Sequence, residues 1–417
     1  VVEGVIAPPR AGGITAAPFV ALIAALLIYA ARGTPTPDSF GIIEIVVAGL
    51  LVIAAGPPGI LAATGAAQPM GWMRAGQALL LYGLSVPVIT GLARGNDPVL
   101  MLRDVIPFVF LLMPLFLYPL VRGSMARLVV LTMAAATVGL AFSWRVVVPA
   151  FLESHGMGAL LARTVPPDPG YMANAPTVIF SSLLLAGLAG MRMMASLRLP
   201  SLVAAGAMAG AAALPFVTMA LIMQRASIWL WLAGAAYLMA RGFAWRPYRA
   251  LPVMAAGLVA AAVAAPWVAG LMADLAAKNA AVGLNSRWQE AQAVMDAVGG
   301  DLWGVIFGRG WGATIVSPAV GGETVNFTHN LFTTYWLKAG LCGIAVVAVY
   351  IAALGRLLWP MLRTAPVMAV ALGVPLAIDV ALYASFKSLD FGIILLLIAL
   401  WGGRAVSLHP RPVYSMS

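Results

Sequence analysis

The sequence predicts an all-α, polytopic integral membrane protein with about 12 transmembrane helices, and three observations carry that reading. Of 417 residues, 62% are hydrophobic and only 9% charged, against about 25% charged in a soluble domain, so a soluble chain of this length could not cover its own surface. Apolar stretches of the roughly 20 residues needed to cross a bilayer recur along the chain. A single long hydrophilic segment, 272–339, interrupts them. A cytosolic enzyme, a disordered chain and a disulfide-framed secreted module are thereby excluded. Cys342, the one cysteine, leaves no intrachain disulfide and no cysteine metal cage. His155, His329 and His409 are too few and too far apart to suggest a metal site. The net charge of +10 is scattered between apolar runs, which argues against a nucleic-acid partner.

In chain order, the expected spans lie near 14–32, 40–58, 74–93, 98–121, 127–148, 176–196, 200–222, 226–241 and 250–271. Three more follow the hydrophilic segment, near 340–358, 366–385 and 389–403. The first is too long, and its flanks unlike an n-region and cleavage site, for a signal peptide. Three parts result: an N-terminal bundle of about nine helices over 1–271, a loop over 272–339, and C-terminal helices with a tail over 340–417.

Orientation follows from the basic residues. With the N-terminus inside, thirteen arginines fall on the inner side and eleven Lys/Arg on the outer. Lys278, Arg287, Arg309 and Lys338, four of those eleven, belong to 272–339, where unusual charges are expected to be functional. Without them the asymmetry places both termini in the cytoplasm and 272–339 outside.

Two outer segments stand out. The shorter, 149–175, carries Glu153, His155, Arg163 and the extended run Pro166–Gly170. The longer, 272–339, exceeds the length at which loops become functional or disordered. Trp288, Ala291, Met295 and Val298 give it an apolar stripe at helical spacing, ended by Gly299-Gly300. That pattern predicts a short amphipathic helix along the membrane surface. Where the segment re-enters the membrane it reads His329-Asn330, nine residues, then Gly340-x-x-Gly343. The glycines fit a seam where helix backbones approach closely; an ordinary loop histidine beside such a seam is the plainer alternative.

This motif resembles the O-antigen ligase and Wzy-type polysaccharide polymerase superfamily of bacterial membrane glycosyltransferases. Two weaker pieces join it: Arg225, opening an apolar helix where the family carries Ser-Arg-Gly, and Arg287-Trp288 followed by Gly308-Arg309-Gly310-Trp311-Gly312. Gln224 and Ala226 depart from the family's Ser and Gly. By motif the resemblance covers roughly 220–345.

The resemblance implies a GT-C-like fold in the bacterial inner membrane with a periplasmic active site; the lack of paired carboxylates, a Walker loop or a metal-ligand cluster in the sequence makes metal-independent transfer without a cofactor the consistent expectation. The resemblance also implies an undecaprenyl-diphosphate-linked glycan donor and, as acceptor, either another lipid-linked glycan or lipid A-core. His329 would be the catalytic base, since neutral imidazole suits proton abstraction near pH 7. Arg225, Arg287 and Arg309 would bind the diphosphate, because a guanidinium pairs phosphate oxygens in a bidentate way. Lys338 is a further cationic candidate, or one that snorkels. Asn330, Gly340 and Gly343 would be structural. Polymerase is favoured over ligase, and protein glycosylation is the remaining transfer reaction.

Two intramembrane features weigh separately. Arg103-Asp104 reads as a self-paired ion pair, and Asp379 as a capped, interior-facing acid and the only other carboxylate deep in lipid. They also support a rival class, a transporter or lipid-linked-glycan flippase. Such proteins commonly have two related halves, and none is discernible here. A lateral cleft lined by Arg225, Arg287 and His329 would favour transfer; a through-going central cavity would favour transport.

Overall fold

A computed structural model describes residues 16–35, 41–65, 70–154, 169–222, 224–259, 262, 270 and 286–407. His155, Arg163, Pro166–Asp168, Lys278 and His409 lie outside the described residues, as does 272–285. The N-terminal helices are α1 (Ala16–Arg32), α2 (Ile42–Ala63), α3 (Gly71–Ala93), α4 (Pro98–Leu111), α5 (Met113–Val121) and α6 (Met125–Ser154). They continue with α7 (Pro169–Ala173), α8 (Pro176–Ala195), α9 (Leu199–Leu221), α10 (Arg225–Trp245) and α11, over 247–259. The loop region holds α12 (Ser286–Val298), α13 (Leu302–Phe307), β1 (Ile315–Ser317) and β2 (Glu323–Val325). The chain closes with α14 (Leu331–Gly355), α15 (Leu358–Thr364), α16 (Pro366–Ala381) and α17 (Leu389–Ser407).

Among the described residues, eight helical stretches are long and apolar enough to cross a membrane. They are α2, α3, α4 with α5, α6, α8, α9, α14 with α15, and α17; α1 and α16 are shorter apolar helices. The chain is an all-α polytopic protein. α10 covers the expected 226–241 stretch but is not one of the eight, and the expected 250–271 span is described mainly over 247–259. At the core is α17: Ile394 through Ala399 are fully enclosed, packed by α4, α5, α6, α8 and α16. A helix apolar on every side is buried on every side. The stretch expected as one span over 98–121 breaks at Leu112 (φ −94°, ψ 6°), two residues before Pro114, whose ring cannot continue the ladder.

The loop region contains one element the sequence reading lacked, an antiparallel pair in which Ile315 faces Val325 and Ser317 faces Glu323. Its helix α12 forms and stops before Gly299, as expected, and it also has a face turned to the protein. Glu290, Val294 and Val298 turn inward, while Trp288 and Met295 of the expected stripe are exposed. Val294 and Val298 pack with Ala313, Ile315 and Leu337.

The expected loop boundary at 339/340 falls inside α14. Gly340 there has φ 68° and ψ −169°, a break within a helix that begins nine residues earlier. Three carbonyls just before the break find partners elsewhere. Leu337 accepts from the Arg309 N–H at 2.8 Å, Lys338 from the Gly310 N–H at 3.0 Å, and Ala339 from the Tyr82 hydroxyl at 2.6 Å. A Cβ on Gly340 would stand 2.3 Å from the Ile306 carbonyl, so only glycine fits.

The same turn grips α3. Pro87 has no N–H to give the Gly83 carbonyl, and the Trp311 indole donates to it instead at 2.7 Å, while the Trp311 backbone N–H reaches the Pro87 carbonyl at 3.0 Å. The Gly308–Gly312 turn is therefore a wedge between two interrupted helices. It fixes the start of α14, and with it His329.

Candidate functional site

His329 immediately precedes α14, and Asn330 caps that helix: its side-chain oxygen accepts from the Phe332 N–H at 2.7 Å. The Asn330 amide donates to the Ala381 carbonyl at the end of α16, 3.2 Å away. The His-Asn pair thus ties α14 to α16.

Glu290, which the sequence reading did not single out, reaches His329 from α12. Its Oε1 lies 3.0 Å from His329 Nδ1, and its Oε2 accepts the His329 backbone N–H at 3.0 Å. The Ser317 hydroxyl donates to Oε1 at 2.8 Å. The carboxylate is 3% exposed and the imidazole 27%, so the pair is anchored inside and opens outward. A carboxylate on Nδ1 selects the tautomer protonated there and leaves Nε2 with a free lone pair. Burial pushes the Glu290 carboxyl up, but the His329 side-chain and backbone hydrogen bonds, with Ser317, outweigh it and hold the group below its ordinary value. Glu290 is consequently an anion, oriented to support a charge on the ring.

The last turn of α16 and the residues after it form the opposing wall. Arg287 donates to the Leu382 carbonyl and lies over the Tyr383 ring at 5.6 Å. Arg225, at the start of α10, is close enough for its charge to act on Tyr383. Neither arginine has a carboxylate partner among the described residues, and one carbonyl uses only one of the five N–H donors of Arg287. Lys387 stands 4.8 Å from the Phe327 ring, which meets the His329 ring edge-on at 5.9 Å. Gln224, at the family's serine position, is buried and donates to Asn174.

The structure thus brings Asn330, Arg287 and Arg225 to residues 381–383, with His329 adjoining Asn330 in the chain. It engages Arg309 elsewhere: its guanidinium donates to the Ala297 carbonyl at 2.8 Å, where a cation complements the C-terminal end of α12. Gly340 makes the helix break described above. At Gly343 a Cβ would lie 2.2 Å from that of Ala339.

Four expectations are corrected. Asp104 pairs with Lys338 rather than Arg103: Lys338 Nζ is 2.5 Å from its Oδ2, with side chains 0% and 4% exposed. Asp104 also accepts the Gly312 N–H at 2.7 Å. Lys338 is therefore neither a free cation nor a snorkelling one. Asp379 does face the interior, yet neither carboxylate oxygen has a hydrogen-bond partner among the described residues, so it is not capped. Nor is it the only other buried acid, for Asp390 is enclosed in α17 and accepts hydroxyl bonds from Tyr29 and Thr177.

Glu290, Tyr383 and Lys387 were missed. Glu290 did leave a signal: with Val294 and Val298 it makes a second stripe at helical spacing. Comparison with known proteins adds no assignment: no family model, curated protein or solved structure matches this chain.

Proposed function

We propose that this chain is a GT-C-like glycosyltransferase of about twelve spans in the bacterial inner membrane, with both termini cytoplasmic and the His329 site periplasmic. It transfers a glycan from an undecaprenyl-diphosphate-linked donor to an acceptor sugar hydroxyl, and it acts as a polysaccharide polymerase. The observation that carries this reading is the half-open His329–Glu290 pair near the corner at 381–383, where Arg225 and Arg287 lie with no carboxylate partner among the described residues. A base and unneutralised cations side by side are what displacement of a diphosphate requires.

In the proposed step the acceptor hydroxyl gives its proton to His329 Nε2 as its oxygen bonds to the donor's anomeric carbon. The bond from that carbon to the phosphoryl oxygen breaks, and its electron pair leaves with undecaprenyl diphosphate. Arg225 and Arg287 meet the charge gathering on that leaving group, and Glu290 stabilises the imidazolium. The proton then passes to solvent.

Cells carrying His329→Ala or His329→Gln at normal protein levels should lose polymeric glycan, since neither side chain can serve as this base. Near-normal glycan output would overturn the mechanism. Deleting the gene should leave single repeats on the carrier or core. Bare core with long chains stranded on the carrier would replace polymerase by ligase and keep the chemistry.

A further inference from the structure

We infer that Lys387 is a third cation of this site and binds a phosphoryl oxygen of the lipid-linked diphosphate; the inference rests on the function proposed above. Lys387 ends the short 3₁₀ turn Ala384–Lys387, four residues beyond Tyr383, on the same corner between α16 and α17 that receives Arg287. Burial pushes the Lys387 ammonium down to about 7; of the four charged groups that act on it, Asp104 and Glu290 raise it while Lys338 and Arg103 lower it. Only two of these are carboxylates, and both are already occupied. Asp104 holds Lys338 and the Gly312 N–H, and Glu290 holds His329 and Ser317.

The ammonium rests instead on an aromatic face, 4.8 Å from the Phe327 ring. A π face positions a cation without neutralising it. Arg287 on Tyr383 repeats the arrangement across the same corner. Phe327 meets both Lys387 and His329, so an anion held by the lysine would lie on the same side of the site as the base. Lysine offers phosphate a compact point charge with three donors, a role complementary to the forked arginines.

The test uses the full chain in lipid nanodiscs and undecaprenyl diphosphate, carrying no sugar, as the probe. Lys387→Met should weaken binding about tenfold, as expected for one lost charge-assisted phosphate contact. Lys387→Arg should stay within about threefold of the parent protein, and the thermal unfolding midpoint should not move. Should the Met variant not fold, Lys387→Gln is read against the same expectation. Normal binding by Lys387→Met beside lost binding by Arg287→Ala would overturn the role of Lys387 and leave the proposed function standing. Absence of binding by the parent protein would overturn both.

Discussion

Two ion clusters at the same end of the helix bundle use the same kinds of side chain and end in opposite states. In the inner one, Lys338 donates to Asp104 and to the Ala313 carbonyl, both at 2.5 Å, and Asp104 is completed by Gly312 and Asn326. The Lys338–Asp104 pair is matched and enclosed. In the outer one, Arg225 and Arg287 gather at Leu382 and Tyr383, next to the Ala381 carbonyl that holds Asn330, and the nearby carboxylate Glu290 is already committed to His329. A cluster whose hydrogen bonds close on one another is scaffold; one whose cations outnumber its carboxylates suits the anion of the function proposed above.

The contrast breaks most visibly at the inner cluster. Asp104→Ala would strand a buried ammonium, a change that costs about 3–5 kcal/mol, and the loss should appear in denaturant unfolding of the purified protein. Adding Lys338→Met should recover most of that stability, since an apolar replacement of both partners removes the stranded charge. Arg287→Ala, removing an exposed cation, should change stability by less than about 1 kcal/mol. Equal losses from the two would erase the distinction drawn here.

A smaller effect is expected at the wedge that carries the outer site. Gly340→Ala forces a side chain into the left-handed region and against the Ile306 carbonyl. The backbone term alone is about 1–3 kcal/mol, and displacement of α13 adds to it. Activity should fall further than stability accounts for, because the same turn sets the start of α14.

The smallest effect is one of pH. Glu290 is held below its ordinary value, so it contributes stability above the unfolded carboxyl value of about 4.3. That contribution is lost as pH falls through the lower folded value. Glu290→Gln should therefore flatten the acid limb of thermal stability below about pH 4. An unchanged limb would mean that the carboxylate is not held by His329.

What the sequence conveyed and what it hid follow from distance along the chain. Apolar stretches and the long segment are local patterns, and they were legible. So were His329, Arg225 and Arg287, which stand out as cations and a lone imidazole beside apolar runs. Glu290 lies 39 residues from His329, and Asp104 lies 234 from Lys338; no local pattern pairs them. Arg103 was chosen for Asp104 because it is adjacent, yet neighbours on a helix point to different faces. On α12 the expected membrane-facing stripe was legible as apolar spacing, but the face turned to the protein was not, because it mixes a glutamate with two valines. Trp288 and Met295 are exposed, whereas the buried face carries a glutamate.

The central claim is that the outer cluster divides its labour, with His329 moving the proton and the arginines holding the diphosphate. The most direct test measures donor binding and single-turnover transfer on the same nanodisc preparations of the parent protein, His329→Gln and Arg287→Ala. The account predicts that His329→Gln binds the lipid-linked donor within about twofold of the parent while losing about 10²–10⁴-fold in rate, and that Arg287→Ala loses binding first. A His329→Gln protein that transfers glycan at the parental rate would contradict it.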